Sequence, residues 1–199
     1  MCLEQRWGLS QWSGLRVGPE SINIEQKHMI IRFREYLIRD WREDDAPGIV
    51  KYANNRDISK NLRDGFPHPY SLSDAEGFLF KVRLQDPRTF FALATDAEVI
   101  GGIGLGQGED VHRFTAEMGF WLAEPYWGKG IMTDAVKSFT KFAFERYKLQ
   151  RIYAEPYTTN PASARVLEKA GYSLEGTMRA NVFKDGRILD QYLYATTKA

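Results

Sequence analysis

The period of the apolar positions changes several times along the chain, and each change marks an element. Residues 30–41, "IIRFREYLIRDW", are β-rich and read as one strand or two short ones. In 42–55, "REDDAPGIVKYANN", Asp44 or Asp45 stands where an N-cap belongs and a helical run follows. In 70–87, "YSLSDAEGFLFKVRLQDP", Ser73 and Glu76 form an S-x-x-E capping box; Phe78, Leu79 and Val82 recur at helical spacing, and Pro87 ends the run.

"RTFFALAT" and "EVIGGIGLGQG" are short apolar runs that share a turn at "DAE", a hairpin, and the aromatic "FTAEMGFWLA" is a third strand. "TDAVKSFTKFAFERY" puts Ala135, Val136, Phe139, Phe142 and Ala143 on one helical face, with Phe139 and Phe142 expected in the core. "QRIYAEPY" is a strand and "NPASARVLEKAG" a helix with Gly171 at its C-cap. "YSLEGTMRANVF" and "RILDQYLYA" close the chain as a hairpin around "KDG". Strand, two helices, three antiparallel strands, helix, strand, helix and two strands make a mixed α+β domain, without the regular alternation of a doubly wound nucleotide fold.

Residues 1–25 show neither periodicity nor turn chemistry despite Trp7 and Trp12, so they stand apart as an N-terminal extension and 26–199 carry the domain. With 199 residues, 43% of them hydrophobic, the chain suits one core. A net charge of +1, both signs interspersed, does not suggest nucleic acid or an anionic membrane as a partner. One cysteine, Cys2, excludes an intramolecular disulfide framework, and His28, His68 and His112 lack metal-ligand spacing. No run approaches the roughly 20 apolar residues of a membrane span, and the N-terminus has no signal-peptide pattern. The expected setting is reducing and cytoplasmic.

The stretch with candidate chemistry is 124–135, "EPYWGKGIMTDA". Gly128 and Gly130 allow a sharp turn and a close approach to an anion, and the first helix amides, with Lys129 and Thr133 nearby, aim donors at it. An ordinary strand-to-helix turn is the competing reading. A Walker loop fails here because Ala123 stands where its first glycine belongs and Gly130 follows Lys129. A dinucleotide fingerprint fails at "GGIGLGQG", which puts Gln107 and Glu109 where a third glycine would go and leads into another strand.

"AEMGFWLAEPYWGKGIMTDAV", followed by "NPASARVLEKAGY" and "LEGTMR", resembles the GNAT N-acetyltransferases, and within them the RimJ/RimL-like branch, whose named members acetylate the N-terminal amine of ribosomal proteins. The likeness runs over about residues 30–197 and includes "FPHPYSLSDAEGF". It implies the GNAT fold: a mostly antiparallel sheet of about six or seven strands, splayed in the middle and flanked by about four helices. It also implies acetyl-CoA as cosubstrate, no metal, an amine acceptor (a peptide N-terminus or a small amine), and a homodimer as a family expectation.

Carried over residue by residue, the family's pyrophosphate loop falls on Trp127, Gly128, Lys129, Gly130, Ile131 and Met132, with Thr133 following. Met132 departs from the usual small residue, so its thioether must point away from the phosphates or the loop must shift. The likeness further implies that residues 118–122, with Trp121 and Leu122, splay from residues 152–156 and that pantetheine enters the gap as an added strand would. Asn160, Ser163 and Lys169 complete the donor-side candidates. Ser163 matches a serine near the departing sulfur, although Asn160 as N-cap, Pro161 at N1 and Ser163 as an ordinary N3 residue is an equally complete account. Leu167 stands where many relatives have a tyrosine acid, which excludes that acid here.

Acetyl transfer needs a base for the ammonium, stabilisation of the thioester oxygen, and stabilisation of the departing thiolate. Glu117 is the candidate base, flanked by Met118, Phe120 and Trp121; a surface glutamate, or one paired with a nearby arginine, is the competing reading. Val182 stands where some members of the branch carry a glutamate, which weakens a ribosomal acceptor and adds weight to Glu117. His68 borders the expected acceptor side and is also a plain loop histidine. An acyl-CoA sensor without turnover and an ATP or NAD binder are the alternatives; the failed spacings disfavour the latter.

Overall fold

The computed structural model describes residues 29–198; the N-terminal extension, Cys2 and His28 lie outside them. Residues 30–41 form two strands, β1 Ile30–Phe33 and β2 Tyr36–Arg39, because the chain turns back through Arg34 at φ 48°. Helices α1 Ala46–Ala53, α2 Arg56–Ser59 and α3 Leu72–Arg83 follow, then strands β3 Phe90–Ala94, β4 Val99–Gln107 and β5 Thr115–Leu122. Helix α4 Ile131–Arg146, strand β6 Arg151–Ala154, helix α5 Pro161–Lys169, and the hairpin of β7 Ser173–Lys184 and β8 Arg187–Thr197 complete the chain.

All eight strands join one sheet in the order β1-β2-β3-β4-β5-β6-β8-β7. Among the described residues the expected six or seven strands become eight because of the early turn, and the four-residue α2 makes a fifth helix. Every neighbouring pair is antiparallel except β5 and β6, which run parallel.

Two capping expectations are corrected. The box on α3 is Ser71 with Asp74, not Ser73 with Glu76: Ser71 accepts from the Asp74 amide and Asp74 accepts from the Ser71 amide at 2.9 Å. Asp45 precedes α1 but its side chain does not cap that helix: its oxygens accept from the buried guanidinium of Arg39 at 2.6 and 2.7 Å, and Oδ2 also accepts from the Arg42 amide at 2.8 Å in the turn before it. Helix α4 also begins two residues before Thr133, directly after Gly130.

Alternation along the strands divides the core between two faces. Ala116, Met118, Ile152 and Ala154 pack with Ala135, Val136 and Phe139 of α4 and Leu167 of α5, while Phe142 and Phe144 are only partly buried against that cluster. On the other face Ala92 and Val99 pack with Trp41, Ile49 of α1 and Leu79 of α3, and Trp121 and Phe90 lie against them. The glycine-rich run is explained by this second face. A Cβ at Gly102 would stand 2.8 Å from Trp121 Nε1, and one at Gly104 2.4 Å from Phe90 Cδ1. These glycines admit rings, not phosphates.

Candidate active site

Among the described residues, the only parallel junction in the sheet is also where it opens. β5 and β6 pair at Thr115 with Arg151, Ala116 with Ile152 and Glu117 with Tyr153, and no further. Residues 118–122 go on pairing with β4, from Met118 opposite Leu105 to Leu122 opposite Gly101. Ala154 pairs with Tyr194 of β8 instead. On β5 the pairing with β6 ends after Glu117, so Met118 is the first residue to part, as the sequence suggests; on β6 the separation begins at Ala154, two residues later than expected, because Ile152 and Tyr153 are still joined. Both strands feed a helix, β5 into α4 and β6 into α5, so both helix N-termini sit at the end where the strands part. A crevice outside the carboxyl ends of diverging parallel strands is a general ligand position in such sheets.

On the α4 side the crevice is lined by backbone. Gly128 and Gly130 both take φ 75°, which only glycine adopts without strain. The first backbone bond of α4 runs from the Asp134 amide to the Gly130 carbonyl, so the amides of Ile131, Met132 and Thr133 have no acceptor within the helix. Their side chains all turn inward, Met132 being 5% exposed within the core. The departure from a small residue is thus accommodated, because the thioether packs beneath the loop. Trp127, 43% exposed, donates its indole N–H to the Leu122 carbonyl at 2.7 Å, tying the loop to the end of β5. Lys129 is exposed and its ammonium lies 5.5 Å from the centre of the Tyr126 ring. Arg34, from the β1–β2 turn, donates to the Lys129 carbonyl at 3.0 Å and pairs with Asp134 at 2.5 Å, partly offsetting the carboxylate nearest the helix start.

At the start of α5, Asn160 accepts from the Ser163 amide at 3.2 Å, and Pro161 occupies N1. Ser163 is partly buried in that first turn. Lys169 is exposed in the last turn, so the structure does not bring it to the end of α5 that faces the crevice.

The α1–α3 side is built from charged side chains. Glu117 and Tyr153 are directly paired, and Glu155 lies two residues beyond Tyr153, so all three point to one face. Glu117 is 6% exposed, and its Oε1 accepts from Arg63 Nη2 at 2.5 Å across 54 residues of sequence. The same nitrogen lies 3.6 Å from Glu155 Oε2. Glu117 is therefore no surface residue: it is buried at the split and it pairs with an arginine. Two ion pairs hold the Arg63 segment against the β7–β8 hairpin, Arg56 with Asp185 at 2.5 Å and the buried Lys184 with Asp64 at 2.6 Å. Tyr157 donates to the Leu62 carbonyl at 3.4 Å, and burial pushes its phenol above the ordinary value, with Arg63 acting in the opposite sense. Gln191 donates to the Glu155 carbonyl at 2.6 Å and accepts from Asn181.

His68 is exposed in the segment between α2 and α3, and Val182 is partly buried on β7 opposite Leu189. A separate hollow of about 270 Å³, lined by Arg39, Arg42, Lys51 and Glu98, shares no residue with the crevice. Sequence reasoning missed Arg34, Arg63 and Glu155. Glu155 had a signal, a carboxylate beside the Pro156 that ends a strand; the two arginines sit in turns with no periodicity to register them.

A sheet split at a parallel junction, with a helix start of free amides on one side and a buried carboxylate on the other, is the arrangement expected of the transferase class that the sequence resembles. The family model described as "Acetyltransferase (GNAT) domain" matches residues 36–173, and the chain belongs to that family. YoaA of Bacillus subtilis, an uncharacterized N-acetyltransferase, is 32% identical over 85% of this chain and 97% of its own. YjcK of the same organism, a probable N-acetyltransferase, is 43% identical over 51% of this chain and 56% of its own, so the chain spans just over half of that relative. Among solved structures, RimL, a ribosomal L7/L12 α-N-protein acetyltransferase in complex with coenzyme A, has a TM-score of 0.76 at 21% identity, over 85% of this chain and 98% of that one, a likeness of fold. The protein is an N-acetyltransferase of this family. Among the described residues no helix is long and apolar enough to cross a membrane, and no three His, Cys, Asp or Glu cluster as metal ligands.

Proposed function

We propose that the acceptor, a primary amine at a peptide N-terminus or on a small molecule, enters from the α1–α3 side and attacks acetyl-CoA directly, with Glu117 as base. The observation that carries this is the burial of Glu117 at the last pair before β5 and β6 separate. A thioester threaded along residues 118–122 would place its carbonyl beside that carboxylate. The pyrophosphate would lie on the amides of residues 128–133, and the free edge of β5, including Trp121 and Leu122, would pair with pantetheine.

The ammonium passes a proton toward Glu117, through a water where the two do not touch, and the amine nitrogen bonds to the carbonyl carbon. The C–S bond then breaks and CoA leaves as its thiolate, to which the Ser163 hydroxyl donates a hydrogen bond, and the excess proton on the new amide nitrogen passes through solvent to that thiolate. No covalent acyl-enzyme is formed. Proton transfer to Glu117 Oε1 requires Arg63 to shift toward Glu155, which already lies within 3.6 Å of it. Support for a ribosomal acceptor rests on the resemblance to the RimJ/RimL-like branch, and Val182 counts against it. A cytoplasmic setting and a homodimer are part of the same reading, the latter measurable by light scattering. The test is release of CoA from acetyl-CoA with a panel of peptide N-termini and small amines. Binding of acetyl-CoA with no release for any of them would remove the acceptor reading.

A further inference from the structure

The loop between β5 and α4 is held from behind by a residue of another strand pair. Lys129 lies between Gly128 and Gly130, both at φ 75°, so the peptide joining Lys129 to Gly130 has a glycine hinge on its far side and can turn over at little cost. Its carbonyl stands one residue before the first backbone bond of α4, which runs from the Asp134 amide to the Gly130 carbonyl. It accepts instead from Arg34 Nη1 at 3.0 Å, while Nη2 of the same guanidinium pairs with Asp134 Oδ2 at 2.5 Å. A Cβ at Gly130 would lie 3.5 Å from that Nη2, so the guanidinium is seated against the hinge. We propose that Arg34 is a positioning residue for the cosubstrate, fixing the Lys129–Gly130 peptide with its N–H toward the pyrophosphate of acetyl-CoA. This rests on the reading that the amides of residues 128–133 carry the pyrophosphate.

The physical basis is the rigidity of the peptide group. The unit is planar and trans, so its C=O and N–H point in opposite directions, and a donor that fixes the one aims the other. Arg34 comes from the β1–β2 turn at one edge of the sheet, whereas the crevice opens beyond β5, with β3 and β4 between. Held toward Arg34, the carbonyl leaves the Gly130 N–H facing the crevice. Turned over, the same peptide would set a carbonyl oxygen against the phosphates, negative against negative. Two features keep the guanidinium in place. The turn that carries it is closed by the Phe33–Tyr36 pair, and Asp134 takes the part of the planar fork that Lys129 leaves.

The experiment measures Kd by calorimetric titration for acetyl-CoA, for acetyl-3′-dephospho-CoA and for S-acetylpantetheine, which lacks the pyrophosphate. The wild-type protein should bind the first two more tightly than the third. In Arg34→Met that preference should fall about tenfold for both pyrophosphate-bearing donors, the loss of one charge-assisted hydrogen bond. A general loss of stability would weaken all three ligands alike and leave the preference where it was. Asp134→Ala separates positioning from plain attraction by sign. Removing a carboxylate near bound phosphates strengthens their binding if charge alone decides, whereas losing the anchor of Arg34 should lower the preference about threefold. Should Arg34→Met fail to fold, all three ligands are lost together and the Asp134→Ala result decides. A wild-type preference that folded Arg34→Met leaves unmoved overturns the proposal. So does a loss confined to the donor with the 3′-phosphate, or an unmoved or raised preference in Asp134→Ala. In each of those cases the loop still carries the pyrophosphate. A wild-type protein that binds acetyl-CoA no more tightly than S-acetylpantetheine overturns the loop reading and the proposal with it.

Discussion

The two sides of the crevice are built from opposite materials. On the α4 side the candidate ligand-facing groups are backbone amides, and the side chains that accompany them, Ile131, Met132 and Thr133, turn into the core. On the α1–α3 side the candidate groups are carboxylates and a guanidinium from three separate segments, held by ion pairs that span up to 120 residues. One side is local and fixed by the geometry of a helix start. The other exists only once the hairpin at the end of the chain has closed over the segment between α2 and α3. A donor common to a whole family suits the first construction, and an acceptor that varies suits the second.

The largest break in this comparison is at its centre. Glu117→Gln should lower kcat by about 10²-fold or more, with the KM for acetyl-CoA within about twofold of wild type, measured by CoA release. Retained turnover would return Glu117 to a purely structural pairing with Arg63. Next in size is the loop. Gly130→Val forces a β-branched residue to φ 75° and should raise the KM for acetyl-CoA about tenfold, whereas Lys129→Ala should change it less than about threefold. Equal effects would mean that the lysine charge, not the backbone, carries the phosphates.

A smaller effect separates the two accounts of the α5 start. Ser163→Ala should lower kcat about fivefold to tenfold without changing the melting temperature, since its cap contact is made by the amide alone. Asn160→Ala should instead destabilise by about 1 kcal/mol, read by denaturant unfolding, through the lost cap. The smallest lies outside the crevice. The Lys51 ammonium, then the Tyr52 hydroxyl, hold the Glu98 carboxyl below its ordinary value. That contribution is present above the ordinary carboxylate range and is lost as the pH falls through the lowered value. The difference in melting temperature between wild type and Glu98→Gln should therefore shrink on acidification below about pH 4. Enzyme turnover should not distinguish them at neutral pH.

Legibility in the sequence followed the same division. The loop, the Asn160 cap, both flanking helices and the closing hairpin were readable because glycine, proline and apolar spacing report conformation within a few residues. Glu117 was placed on the right strand, but its partner was not, because Arg63 lies in a segment without periodicity and its position depends on Lys184 far along the chain. The capping box was assigned two residues late because Ser73 and Glu76 fit the familiar pattern better than Ser71 and Asp74, although an aspartate reaches the same amide. Of the two readings open for residues 30–41, the pair of short strands is the one formed, but the turn at Arg34 could not be located: a non-glycine residue at positive φ leaves no mark in composition.

The inward-turned side chains at the start of α4 have a practical consequence for anyone mapping the protein by mutagenesis. Alanine scanning deletes atoms beyond Cβ, and residues 131–133 have few such atoms outside the core to lose. Scored by turnover, a scan would blame Met132 or Ile131 for a fall in stability and report silence where the cosubstrate rests. An informative probe there must replace the amide itself, for example by an ester bond introduced through semisynthesis, which removes one donor and leaves every side chain in place.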